Sequence, residues 1–166
     1  MSVLPILTWP DPRLAEICAP VDDLTAEVEA LAQDMLETMY AAQGRGLAAP
    51  QVGAMVRLFV MDAGWKDGKP DPMVFINPVV QEVSEDRVSA EEGCLSIPGV
   101  TAQVNRPATV QLTWTGVQGA RYVQVFSGFA AVCVQHELDH LDGIVTLDHL
   151  DQATRAGVIA QYEART

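Results

Sequence analysis

Apolar residues along this chain change their period three times, and each change marks an expected element. Between residues 25 and 43, Val28, Leu31, Ala32, Met35, Leu36 and Met39 recur at three- and four-residue spacing, which predicts an amphipathic helix. Asp22, Asp23 and Thr25 stand where a cap is needed, and Gly44 is placed to stop the helix. From about residue 56 to 126 the period shortens. Residues 56–61, 73–76, 79–83, 109–114 and 122–126 form short apolar or alternating runs, punctuated by Gly64, Gly68-Lys69-Pro70, Asn77-Pro78, Pro98-Gly99, Arg106-Pro107 and Gly116. These predict strands of an antiparallel meander. Segment 128–141 returns to helical spacing, with Phe129, Val132, Cys133, His136 and His140 on one stripe. A last amphipathic helix is expected after Asp151. The pattern argues for the α+β class, with antiparallel sheets packed around a central helix and helices towards both ends.

Length and composition narrow this picture. The 166 residues suit a single domain spanning 1–166, large enough to build a core without disulfide staples. Apolar residues make up 49% and charged residues 19%, which is not the composition of a disordered chain. Ten basic residues against 22 acidic ones leave a net charge of −12, so nucleic-acid binding, which draws on many basic contacts, is disfavoured. No apolar run reaches the roughly 18 residues that cross a bilayer. Three widely spaced cysteines, Cys18, Cys94 and Cys133, do not make a disulfide framework and suit a reducing compartment. The N-terminus carries no targeting pattern, so a cytoplasmic monomer is the expectation.

The chemistry concentrates in His136-Glu137-Leu138-Asp139-His140. Histidines at i and i+4 stand one above the other on a helix face, where both imidazoles reach one cation. Glu137 lies on the flank of that face and can approach a water at the metal without being a ligand. Two of the three histidines sit in this motif, and Gly128 to Gln135 is almost wholly apolar. Unpaired imidazoles in a buried helix are costly, and a metal satisfies them. A catalytic site needs a third protein ligand and an open position. Downstream candidates are Asp148, His149, Asp151 and Glu163; upstream stands Cys94, in Glu91-Glu92-Gly93-Cys94-Leu95-Ser96.

With these residues in view, the chain resembles the peptide deformylases over essentially its whole length. Three motifs match in order: Gly44-x-Gly46-Leu47-Ala48-Ala49-x-Gln51, Glu92-Gly93-Cys94-Leu95-Ser96, and Gln135-His136-Glu137-x-x-His140. Pro10-Asp11-Pro12-Arg13-Leu14, Met35-x-x-Thr38-Met39-Tyr40, Ile76-Asn77-Pro78 and Arg106-Pro107 are also similar. The resemblance implies one metal ion per chain held by Cys94, His136 and His140, commonly Fe²⁺, with Zn²⁺, Ni²⁺ or Co²⁺ as substitutes. It implies removal of the formyl group from N-formylmethionyl peptides of newly made proteins, with release of formate. Glu137 would relay the proton, and the Gln51 amide and the Leu95 backbone N–H would donate to the oxyanion. Gly44, Arg45 and Gly46 would line the substrate strand, Phe129, Val132 and Cys133 with Leu95 would form the methionine slot, and Glu92 would pair with Arg106 behind Cys94.

Three features depart from that family. Arg45 takes a place that is usually apolar, at the rim of the groove, where it can narrow the entrance or favour an acidic group on the substrate. Thr101 and Ala102 stand where some members present an arginine. The terminal segment from Asp148 carries a net charge of −1, from Asp148, Asp151 and Glu163 against Arg155 and Arg165, which makes tight docking on the ribosome doubtful. Two rival readings remain: a weakly active or silent paralogue that binds peptides, and a zinc peptidase with a downstream third ligand.

Overall fold

A computed structural model describes residues 2–165. The first long helix, α1, runs Ala26–Ala41, where Thr25 accepts from the Val28 N–H at 3.3 Å and Glu27 and Glu29 sit in the first turn. Both features favour a helix start. Its buried stripe is Ala32, Met35, Leu36, Thr38 and Met39. The helix does not stop by a left-handed Gly44, as the sequence predicts. Gln43 takes the positive φ of 60°, and the Gly44 N–H closes back onto the Met39 carbonyl at 2.9 Å. Gly44 is thereby free for a close approach elsewhere.

The expected meander is only partly present. Strands β1 (Gly46–Ala48), β2 (Leu58–Met61), β3 (Met73–Val83), β6 (Thr109–Thr115) and β7 (Arg121–Ser127) form one five-stranded sheet in the order β1-β2-β3-β6-β7. Between β3 and β6 the chain leaves to make a separate antiparallel hairpin, β4 (Arg87–Cys94) and β5 (Ile97–Pro107). Residues 73–76 and 79–83, expected as two strands, are one. Asn77, at φ 50°, forms a bulge whose side chain accepts from the Val21 N–H and donates to the Val21 carbonyl, each at 2.8 Å. A bulge admits Pro78 without ending the strand.

Helix α2 (Gly128–Leu141) lies between the sheet and the hairpin. Its Ala131, Val134, Leu138 and Leu141 pack with Phe59, Phe75, Trp114 and Phe126 of the sheet. Helix α1 covers Leu47, Leu58, Val60 and Ile76 beside them. The last helix, α3 (Gln152–Glu163), begins at an Asp151 cap. It packs on β5 through Tyr162, which joins Leu14, Ile97, Val145 and Leu147 in a third cluster. The α+β expectation, with antiparallel sheets around a central helix, is borne out. No helix among the described residues is long and apolar enough to cross a membrane.

Candidate metal centre

The site forms where β1, the β4–β5 turn and α2 meet. One turn of α2 separates His136 from His140, and their ring centroids lie 5.1 Å apart. Cys94, the last residue of β4, approaches from the hairpin. Its Sγ is 3.5 Å from His140 Nε2. Ligand atoms of Cys94, His136 and His140 all lie within 4.8 Å of one another, the one such group of three among the described residues. The downstream alternatives Asp148, His149, Asp151 and Glu163 are not part of it.

A thiol and two imidazoles brought together in a buried place fit a borderline divalent cation. The electrostatics agree. Burial works against a proton on His136, yet the Glu137 carboxylate and the hydrogen bonds to Cys94 and Glu92 outweigh it and push its pKa well up. The negative surroundings that hold a proton on that ring also favour a cation, which has to displace that proton on binding. Burial, then the neighbouring His136, drives His140 well below its ordinary value, so it is a neutral imidazole with a lone pair to give.

Behind His136 stands a chain of buried charge. Its Nδ1 is 3.0 Å from Glu92, and Arg106 grips both oxygens of Glu92 at 2.7 and 2.9 Å. Burial pulls Glu92 up, but the bonds from His136 and Arg106 hold it below its usual range. Arg106 also donates to Asp139 at 2.9 Å, and Asp139 meets His149 Nε2 at 2.7 Å. The Glu92–Arg106 pair expected from the sequence is thus present. From the sequence Asp139 is open to a role behind a histidine or to an ordinary ion pair, and His149 reads as structural or surface; the structure joins Asp139 to both Arg106 and His149.

Glu137 is buried, and its Oε1 has no hydrogen-bond partner among the described residues. Burial pushes its pKa up to about 7, even against the pull of His136. Above it lies β1. A Cβ added to Gly46 would come within 2.5 Å of Glu137 Oε2, and one on Gly44 within 2.7 Å of Leu95 Cδ1. Gly46 is therefore required by space, since Glu137 and Cys133 of α2, the latter at 2.9 Å, leave no room for a side chain there, whereas Gly44 meets only the movable tip of Leu95. Gln51 is buried, with Oε1 accepting from the Ala48 N–H at 2.9 Å and Nε2 donating to Ser96 Oγ at 3.0 Å. The same amide nitrogen lies 3.8 Å from Cys94 Sγ.

A cavity of about 610 Å³ opens over these groups. Gly44, Arg45, Gly46, Gln51, Leu95, Phe129, Val132 and Cys133, all singled out in the sequence, line it with Glu92, Cys94, His136 and Glu137. Arg106 and His140 stand behind this lining. Burial, then the Glu137 charge, raises the Cys133 thiol well above its ordinary value, so it is an apolar wall and not a nucleophile.

Comparison with known proteins gives a consistent result. The sequence profile of the family described as Polypeptide deformylase matches residues 3–156. A peptide deformylase of Acinetobacter baumannii is 45% identical over 163 residues, covering 98% of this chain and 92% of that protein. One from Rhodopseudomonas palustris is 46% identical over 165 residues, covering 98% and 94%. Among solved structures, the Ehrlichia chaffeensis peptide deformylase in complex with actinonin superposes with a TM-score of 0.92 at 37% identity, covering 100% of both chains.

Proposed function

This chain belongs to the polypeptide deformylase family, its activity is hydrolytic removal of N-formyl groups, and on that premise we propose how its own residues carry the reaction. Cys94, His136 and His140 hold one ion, ferrous iron by preference, with Zn²⁺, Ni²⁺ or Co²⁺ as substitutes. When bound, the ion supplies Lewis acidity to the formyl oxygen and the attacking water. The convergence of those three side chains beside a buried Glu137 is the observation that carries this reading.

Glu137 takes a proton from the attacking water and returns it to the departing amine. A carboxylate with its pKa raised towards neutrality suits both transfers. The oxyanion accepts from the second N–H of Gln51 and from the Leu95 backbone N–H. Gln51 is held for this by Ala48 and Ser96, so little reorganisation is needed. The peptide adds as a strand along the open edge of β1 at Gly46. Its methionine side chain enters the slot between Leu95, Phe129, Val132 and Cys133. Glu92 and Arg106 fix the His136 ring from behind.

The protein works on N-formylmethionyl chains as a cytoplasmic monomer, one domain spanning residues 1–166. Its weakly charged C-terminal segment argues against tight docking on ribosomal RNA. The deciding experiment is formate release from formyl-Met-Ala-Ser by protein purified anaerobically and loaded with Fe²⁺. Glu137→Ala should cost about 10²–10⁴-fold with the metal retained, and Cys94→Ala should lose the metal. Absence of release from the loaded protein would support a silent peptide-binding paralogue, and cleavage of internal bonds would support a peptidase.

A further inference from the structure

Arg45 is the one Lys or Arg among the residues lining the catalytic cavity, whose acidic members are Glu91, Glu92 and Glu137. Its guanidinium carbon lies 4.9 Å over the ring of Phe129, a half-exposed residue in the first turn of α2. Its Nε is buried without a hydrogen-bond partner among the described residues. Its one carboxylate neighbour among them is Asp67 at 3.9 Å, a side chain 69% exposed, so the pair is loose. The backbone of Arg45 is fixed, since its carbonyl accepts from the Asp62 N–H at 2.8 Å. A firmly anchored cation with spare donors therefore stands at the mouth of the cavity, resting on one wall of the slot.

We propose that Arg45 selects peptides with an acidic third residue, by pairing its guanidinium with that carboxylate over Phe129. The inference rests on the deformylase reading above and adds a substrate preference to it. A peptide added antiparallel to β1, with its formyl end towards Gln51, runs from Gly46 towards Gly44 and so passes Arg45. In an extended strand, side chains alternate between faces, and residues one and three emerge on the same side about 6.6–6.8 Å apart. With the first side chain inside the slot, the third lies outside it, at the outer edge of Phe129 where the guanidinium sits. The second side chain points to the opposite face. The net charge of −12 repels acidic peptides from afar, but at physiological ionic strength such fields fade over about 8 Å. The local pair decides.

The test compares C-terminally amidated formyl-Met-Ala-Glu, formyl-Met-Ala-Gln and formyl-Met-Ala-Lys on the ferrous enzyme at physiological ionic strength, where the net charge of the protein is screened. Amidation removes the terminal carboxylate as a rival partner. The Glu peptide should exceed the Gln peptide in kcat/KM by about two- to fivefold, the range of a partly exposed ion pair. The Lys peptide should fall below both. The difference should lie in KM, because the contact exists before and during the reaction. Arg45→Gln should bring the three values together, and Asp67→Asn, which frees the guanidinium, should widen them. Equal values in the unaltered enzyme, or a preference that survives Arg45→Gln, would overturn the proposal. Turnover of none of the peptides would instead break the deformylase reading. Affinities of the same three peptides for the zinc-loaded Glu137→Gln protein then still decide the role of Arg45, by the same order or its absence.

Discussion

His136 and His140 are equivalent in the sequence, one turn apart on the same helix face, yet the structure treats them oppositely. His136 is backed by Glu92, Arg106, Asp139 and His149 in one connected line. His140 Nδ1 is buried with no hydrogen-bond partner among the described residues. One ring has its orientation and tautomer set by the protein before an ion arrives. The other depends on packing and on the ion itself. A metal ligand held by a carboxylate is also more basic. The difference teaches that two histidines with the same place in a motif can be held by different means, one through a line of charge and one through packing.

The largest break in this asymmetry comes from Arg106→Met. Glu92 and Asp139 would lose their common partner, and removing one member of a buried pair typically costs about 3–5 kcal/mol. Thermal unfolding of the metal-loaded protein should show that loss. Next in size, Glu92→Gln should lower metal affinity about 10–100-fold in a chelator competition, because the His136 ring trades a charged acceptor for a neutral one. An affinity within about twofold of the unaltered protein would show that the charge behind His136 adds nothing to its hold on the ion.

A third measurement concerns Glu137 in the metal-free protein. Its folded pKa is raised from 4.5 to about 7, so the folded state binds the proton more tightly than the unfolded chain. The carboxylate therefore destabilises the fold increasingly from about pH 4.5 to pH 7, and no further above that. Glu137→Gln should stabilise the metal-free protein by on the order of 2 kcal/mol at about pH 8 and by almost nothing at about pH 4. Denaturant titrations at the two pH values check the sign. A gain at low pH only would contradict it. The smallest effect belongs to the outer end of the line. His149→Gln should cost about 1 kcal/mol or less, since both it and Asp139 are partly exposed. It should leave metal affinity nearly unchanged.

The helices and most of the main sheet are legible in the sequence because their apolar residues repeat at the period of the element. The β4–β5 hairpin is not. Its buried positions include Glu92, Ala102, Val104 and Arg106, so an alternating inward face is disguised by two charges that neutralise each other across strands. Strand β1 reads as a loop for a related reason, since three residues with glycines around them carry too little pattern. The metal group is visible in the i, i+4 spacing, but spacing alone leaves the third ligand open among Cys94, His149 and the downstream acids; the setting of Cys94 after an acidic stretch makes it the better candidate, and the family resemblance then implies it. Only tertiary placement puts Cys94 within reach and leaves the others outside. The line from Asp139 to His149 is half legible, since Asp139 lies inside the His136–His140 motif while nothing in the spacing points to His149.

The shortness of β1 has a consequence for the whole population of proteins around this enzyme. The strand offers only Gly46–Ala48. Its open edge ends where Gln51 Oε1 takes the Ala48 N–H and the turn Ala49–Val52, stiffened by Pro50, carries the backbone away. The Leu7 N–H seals that turn from outside by bonding the Gln51 carbonyl at 2.7 Å. A polypeptide laid along this edge has room for the residues after its first and none for any residue before it. On the strand addition proposed above, loops, unfolded segments and the middles of chains find no track there. On that reading a hydrolytic centre can circulate among thousands of amide bonds and leave them intact, because its scaffold would admit only beginnings.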